Sequence, residues 1–593
     1  MKLQTLTRPL VLAAATILTP VLGFGAPLAD RVPAQTNVYV GWSGNEAMVE
    51  KIEGTPAGNL LDASNLPAVL DVLVPRIADR IAREDERAGE LVAHIGELVE
   101  VLADKPGALF FGGIGENAFD PGEPAPRIGL IIDAGDEVLE VRGRFEQLFR
   151  DFDQDILRAL LKNDDRYVMM YFGYEDLEMV EAANGAAALA DDEQFVEATT
   201  SVGDGAEGGR DVVTYIDVQG LLRLIDDAVA NGDDLEAQQN WPILRDTLGL
   251  SGIEYFAASA GFDAQWDGLW NTRAFLKSPA PRSGLLGFND GSLDTALLAA
   301  VPQDANFVNA NKFDLQAFFD TLKATATAID PEADAGIRQG LGFANLFVGR
   351  NIERDIFQQL GSEWAVYRSD SVATGIGGWI AVNKVKDEDK LRTSLVMLGT
   401  ALVNGARSQI GRDDPIDFDA RRATIDGVDV YYLGTPVLSP SFAVKDGYLF
   451  AALQPQSAAA AANAMDAGGS ILDNPAFQQY AMSMQAEGTE LRGVQFYDVP
   501  TTAPKAYAVY IALTRGINGG ADLFKVDPID PILPTLPTLL KNLTPGGGVT
   551  YATEDGIRFE SVGTFPGANM LLADPADDEF GLLLPLGAAA QAQ

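Results

Sequence analysis

Among 593 residues there is one histidine and no cysteine. Thiolate nucleophiles, disulfides, Cys-ligated zinc and iron–sulfur clusters are thereby excluded, as is lipidation at cysteine. Multi-histidine metal sites are excluded as well, and a Ser-His-Asp triad would have only His94 to draw on. His94 stands in ERAGELVAHIGELVEVLADKP, where Leu91, Ile95, Leu98 and Leu102 recur at helical spacing. The imidazole falls at the edge of that stripe beside Glu90 and Glu97, the setting of a surface ion pair rather than of a general base. No Gly-x-Ser-x-Gly elbow occurs, so the α/β-hydrolase mechanism has no support.

Carboxylates remain, at 85 Asp and Glu against 43 Lys and Arg. Asp413, Asp414, Asp417 and Asp419 form one cluster and are the metal candidates, in the oxygen-rich style calcium requires. Arg421 and Arg422 follow closely, and internal pairing in a solvated loop is the reading we adopt. Asp151, Asp153 and Asp155 have the spacing that opens a calcium loop. An EF-hand needs Gly at position 6 and Glu at position 12, however, and Ile156 and Lys162 stand there. Helix N-capping is the expectation for this trio. Trp266 and Trp270 flank a turn and are the ligand-stacking candidates, although indoles in a hairpin more often pack across strands. The glycine runs at 112–117 (GGIGEN) and 375–378 (GIGG) lack the strand-to-helix setting of a phosphate loop and read as turns. No catalytic residue, cofactor or firm metal site follows from these patterns.

The elements that position these residues begin with a leader. Lys2 and Arg8 precede an apolar stretch at 9–22, and small residues Gly23 and Gly25 sit before Ala26. Fourteen residues are too few to span a bilayer, so a signal peptide over 1–25 is expected, cut near Gly25/Ala26, with no stable transmembrane anchor. The expected location is the periplasm or the medium. Net charge is −42, or −44 once Lys2 and Arg8 leave with the leader. Such an excess argues against nucleic acid and anionic membranes as partners. With only 14 lysines it also points to a halophilic or marine setting, where salt screens self-repulsion.

An internal repeat organises the rest. Val32-Pro33 leading to Asn37-Val38-Tyr39 corresponds to Val301-Pro302 leading to Asn306-Phe307-Val308. Tyr167 matches Tyr448, Asp191 matches Asp473 and Phe195 matches Phe477, each 281 or 282 residues apart, and 213–218 (VTYIDV) matches 495–499 (QFYDV). Ile253-Glu254-Tyr255 is paired with Val549-Thr550-Tyr551. The order is colinear, as in a tandem duplication. Apolar alternation joined by short turns, among them Asp426-Gly427 and Asp446-Gly447, predicts antiparallel hairpins. The expected fold is α+β: two tandem copies of a unit with antiparallel β-meanders backed by helices. The copies span 26–285 (sub-units 26–205 and 206–285) and 295–575 (sub-units 295–485 and 486–575), followed by a tail at 576–593. In the first copy a helical stretch at 141–161 is expected to replace the hairpin around Asp426.

The segments LGSEWAVY (360–367), GWIAVNKVKDEDKL (378–391), PSFAVKDGYLF (440–450) and GGSILDNPAFQQY (468–480) resemble a widespread group of exported bacterial proteins of unknown function. The first copy shows no counterpart of the wording around Trp364-Ala-Val-Tyr367. The resemblance implies export and a duplicated α+β body, and no activity. Composition and motifs together favour a non-catalytic, exported envelope protein that binds a ligand or an envelope component or takes part in assembly. The alternative is a carboxylate- or calcium-dependent hydrolase of an extracellular polymer, since Asp/Glu chemistry needs neither His nor Cys.

Overall fold

The computed structural model describes residues 28–65, 96, 99, 101–116, 124–151, 161–173, 187–203, 211–287, 291–409, 419–435, 438–508, 511 and 532–568. The leader, His94, Asp153, Asp155, Asp413, Asp414, Asp417 and the C-terminal tail lie outside these residues. No described helix is long and apolar enough to cross a membrane.

Among the described residues eighteen strands follow one another along the chain. They are β1 (Val38–Trp42), β2 (Gly107–Glu116), β3 (Pro124–Asp133), β4 (Leu161–Asn163), β5 (Tyr167–Phe172), β6 (Val212–Asp217), β7 (Tyr255–Asp263), β8 (Leu269–Lys277) and β9 (Ala305–Lys312). The second nine are β10 (Leu360–Ser369), β11 (Trp379–Val385), β12 (Asp419–Ile425), β13 (Val428–Gly434), β14 (Ser441–Lys445), β15 (Tyr448–Ala452), β16 (Glu490–Tyr497), β17 (Gly546–Ala552) and β18 (Gly556–Gly563). Their pairings build a single antiparallel sheet, β4-β5-β3-β2-β1-β6-β7-β8-β18-β17-β16-β9-β10-β11-β15-β14-β13-β12. From the β8–β18 seam outward, the two halves have the same order until the second adds the β12–β13 hairpin at its edge. At the seam, Arg273 of β8 bridges Asp263 at 3.2 Å and Glu560 of β18 at 3.1 Å. The fold is α+β. Because β1 lies between β2 and β6, segments 26–205 and 206–285 share one sheet.

The cores of the two halves follow from register. Tyr39 faces Phe110 on one side and Tyr215 on the other, whereas Val308 faces Tyr367 and Phe496, and all six are buried. A large residue at the centre in one half is thus exchanged for a small one in the other. Ala108 and Phe110 occupy the places of Ala365 and Tyr367, so the first half does have a counterpart of the Trp364–Tyr367 segment. Likewise Ala257 faces Tyr215 where Gly547 faces Phe496, so Tyr255 is not equivalent to Tyr551.

The helices that frame the two halves include α1 (Val138–Asp151), α2 (Glu193–Gly203), α3 (Ala333–Val348), α4 (Glu388–Gln409), α5 (Pro455–Ala464) and α6 (Pro475–Tyr480). On one face, α2 sets Phe195 edge-on against Tyr39 and Tyr215, each at 5.3 Å, and α6 sets Phe477 edge-on against Phe496 at 5.6 Å. The turns before them match as well. Pro33 bridges Ala188 and Pro302 bridges Ser470, while Asp191 and Asp473 accept the backbone N–H of Ala188 and Ser470. On the other face lie α1 and α4, each following the second strand of its central hairpin. The first half therefore carries a helix where the second does too, and the β12–β13 hairpin is an addition, not something α1 replaces. Asp151 is the last described residue of helix α1 and so does not cap that helix's start.

Turn chemistry is as the sequence indicates. Asp426-Gly427 and Asp446-Gly447 have φ of 48° and 82°, and 51° and 82°, the positive values of a tight hairpin turn that Asp tolerates and Gly adopts freely. The 112–117 glycine run is different: it lies within β2, where the register shifts between Phe111 and Ile114 and Gly113 takes φ 99°. It is a bulge, not a turn.

Candidate functional site

The site grows out of α4. Asp387 accepts the N–H of Lys390 at 3.0 Å and caps the helix start, where Glu388 and Asp389 complement its positive end. Leu391, Leu395, Leu398 and Leu402 recur on one face, the spacing of a core-facing stripe. The stripe does not stay seated. Leu391 is fully buried against Leu449 and Val444, whereas Leu402 is 52% exposed. Between Leu395 and Leu402 the helix forms one wall of a cavity of about 500 Å³.

The floor comes from β12 to β15. Antiparallel register places Arg422, Tyr431, Phe442 and Ala451 in one row across four strands. Tyr431 and Phe442 stack at 5.4 Å with ring planes 19° apart, and the Arg422 guanidinium lies 5.5 Å from the Tyr431 ring centre. Ala420 and Leu433 form the flanking row. Gly399 faces this space from the helix; a Cβ there would meet only Leu433 Cδ2, at 3.6 Å. Outside the cavity, Asp429 accepts Thr424 Oγ1 at 2.8 Å and Arg422 Nη2 at 2.5 Å, and these two donors hold its carboxyl below the ordinary range. Toward the end of α4, Phe347 of α3 rests near Gly405, and Phe343, Leu346 and Phe347 are themselves exposed.

The residues singled out from sequence are dispersed by the fold. Asp419 opens β12 beside the cavity and pairs with Arg407 at 3.8 Å, while Arg422 pairs with Asp429; Asp413, Asp414 and Asp417 lie outside the described residues. Among the described residues no group of three or more His, Asp or Glu is placed to hold a metal. Trp270 packs edge-on against Phe262 at 5.1 Å, and Trp266 packs against the core of the second half. The two indoles therefore join different clusters. Two further clefts are polar. In one of about 440 Å³, Asp314 serves as a helix cap for the Ala317 N–H and Lys384 pairs with Asp294. The other, about 480 Å³, is lined by Arg282, Glu490 and Glu554, with Arg282 donating to the carbonyls of Ser278 and Thr553.

Sequence reasoning missed the cavity because it is built from ordinary strand and helix apolar residues. One signal was available. Gly399 sits inside a 22-residue helix, where glycine is about 1 kcal/mol less favourable than alanine. No protein-family model, curated protein or solved structure matches the chain.

Proposed function

We propose that the protein is an exported, non-catalytic binding protein of the cell envelope, and that the cavity beneath α4 holds a small, largely apolar ligand. The cavity carries this reading: its volume of about 500 Å³ suits a small molecule, and among the described residues its lining contains hydrocarbon and aromatic rings, with Arg421 and Arg422 at one end, and neither acid nor histidine. The mirrored strand order supports a tandem duplication, in which the added β12–β13 hairpin gives the second half its site. Export rests on the leader at 1–25 and on the resemblance carried by 360–367, 378–391, 440–450 and 468–480. The acidic, lysine-poor composition supports a saline setting.

Titration of the full chain with the neutral dye N-phenyl-1-naphthylamine tests the reading. One saturable site is expected, weakened at least tenfold in Gly399→Leu, whose side chain enters the cavity from a helix position that favours leucine. Absence of saturable binding, or binding indifferent to Gly399→Leu, refutes it. The second outcome would place the dye on the exposed Phe343–Phe347 surface.

A further inference from the structure

We propose that the cavity takes a single-chain amphiphile with an anionic head, its chain lying across the strands and its head at the sheet edge beside Arg422. The proposal rests on the cavity's being a binding site. Directly opposed residues of antiparallel strands line up across a sheet, and here the alignment creates a gradient. From the edge strand β12 inward the row runs guanidinium, phenol, phenyl and methyl: Arg422, Tyr431, Phe442, Ala451. A uniformly apolar ligand would leave the outer end unmatched, and a uniformly polar one would be stranded over Phe442 and Ala451.

Charge gives the sign of the head. The chain holds about two acids for every base, yet among the described residues the lining of this cavity contains Arg421 and Arg422 and no carboxylate. Arg422 uses Nη2 for Asp429, and a guanidinium has five N–H donors in a planar fork suited to carboxylate or phosphate oxygens. Its place over Tyr431 holds the fork at the mouth of the cavity.

The test is displacement of the naphthylamine dye from the full chain in 0.1 M NaCl, using dodecanoate, dodecyl phosphate, dodecanol and dodecyltrimethylammonium below their micellar concentrations. Either anion should compete about tenfold more tightly than the cation, with dodecanol between. The tighter anion distinguishes a free fatty acid from a phosphate-headed lipid. Arg422→Gln should raise the dodecanoate Kd about fivefold more than it raises the dye Kd, and Gly399→Leu should weaken both. Equal competition by anion and cation, or no effect of Arg422→Gln while Gly399→Leu still blocks the dye, overturns the anionic head and leaves the binding reading standing. Dye binding that Gly399→Leu does not weaken overturns both.

Discussion

Helices α1 and α4 occupy the same place in the two halves and do different things there. Along α1, Val138, Val141, Phe145, Leu148 and Phe149 are all buried, pressed onto Ile132, Leu161 and Val168. Along α4, Leu391 is buried and Leu402 is exposed where it borders the cavity, although Ala401 and Val403 beside it are buried, and the added β12–β13 hairpin extends the cavity's floor. One strand order thus supports both a closed core and an open one, and the difference lies in an edge hairpin. Close packing makes the first arrangement stable; the cavity makes the second available to a ligand.

The sharpest way to break this comparison is to truncate equivalent contacts. Phe145→Ala should lower the unfolding free energy by about 3–5 kcal/mol, because it opens a hole in a sealed core. Leu398→Ala, at a residue that already borders empty space, should cost only about 1–2 kcal/mol. Equal losses in urea unfolding would mean that α4 is seated as firmly as α1.

Buried charge separates the halves as well. Asp211, before Val212 of β6, and Arg492, before Gly493 of β16, hold the same register position, and both are buried. Burial pushes the Asp211 carboxyl up, against the pull of Lys51 Nζ, the Phe262 N–H and Ser43 Oγ. Burial, with Arg282 nearby, pushes the Arg492 guanidinium down to about 10. Lys51→Met should cost about 3 kcal/mol by stranding the Asp211 carboxylate, and Asp211→Asn in the same chain should recover most of it. A double variant no more stable than Lys51→Met would show that the lysine acts through packing alone.

Much of this frame is legible from local signals. VYVGW alternates and becomes β1; Asp426-Gly427 and Asp446-Gly447 turn where glycine permits positive φ; Phe195 and Phe477 reappear in matching corners. What stays hidden is non-local. Nothing in β1 itself announces that Trp42 will face both Gly107 and Val212, because pairing between distant strands leaves no local pattern. The cavity is hidden for the same reason: Leu395, Leu433 and Phe442 look like core residues, and only the tertiary placement of α4 over β12 to β15 makes them a wall.

A smaller effect separates two acids by pH. Arg354 beside Asp355, with the Asn351 N–H and Lys390, holds that buried carboxyl well below its ordinary 3.8. A depressed pKa stabilises the fold above the ordinary value, and that stability is lost as pH falls from about 4 through the folded pKa. Asp211 behaves oppositely. Its raised pKa favours the fold below the ordinary value, and this contribution is lost as pH rises through the folded one. Asp355→Asn should therefore cost about 1.5–3 kcal/mol at pH 7 and flatten the acid limb of the stability profile below pH 4. An unchanged acid limb would assign that limb to other carboxylates.

Glycines sharpen the same contrast at lower amplitude. Gly143 of α1 has nothing within 4 Å of an added Cβ, and Gly399 of α4 has only Leu433 at 3.6 Å. Alanine at either position should stabilise by about 0.4–1 kcal/mol through helix propensity. Only Gly399→Ala should also weaken dye binding, since only that Cβ projects into the cavity. Equal effects of both on the dye would remove Gly399 from the site.

The weakest expected effect concerns salt. Many of the 85 acids have local tasks, and Asp217, Asp234 and Asp314 cap helices through their side chains. The net charge of −42 nonetheless repels itself more in the compact state than in the expanded one. Between 0.1 and 1 M NaCl the screening length falls from about 10 to 3 Å, which removes repulsion between distant acids while leaving close pairs such as Arg273–Asp263 largely intact. The melting temperature should rise by about 2–4 °C over that range. Sodium sulfate also strengthens apolar burial, so a rise in sulfate without one in chloride would assign the effect to the hydrophobic core. A flat response in both would mean that the acids are already neutralised by pairing or too widely spaced to repel, and the saline setting would lose its physical basis.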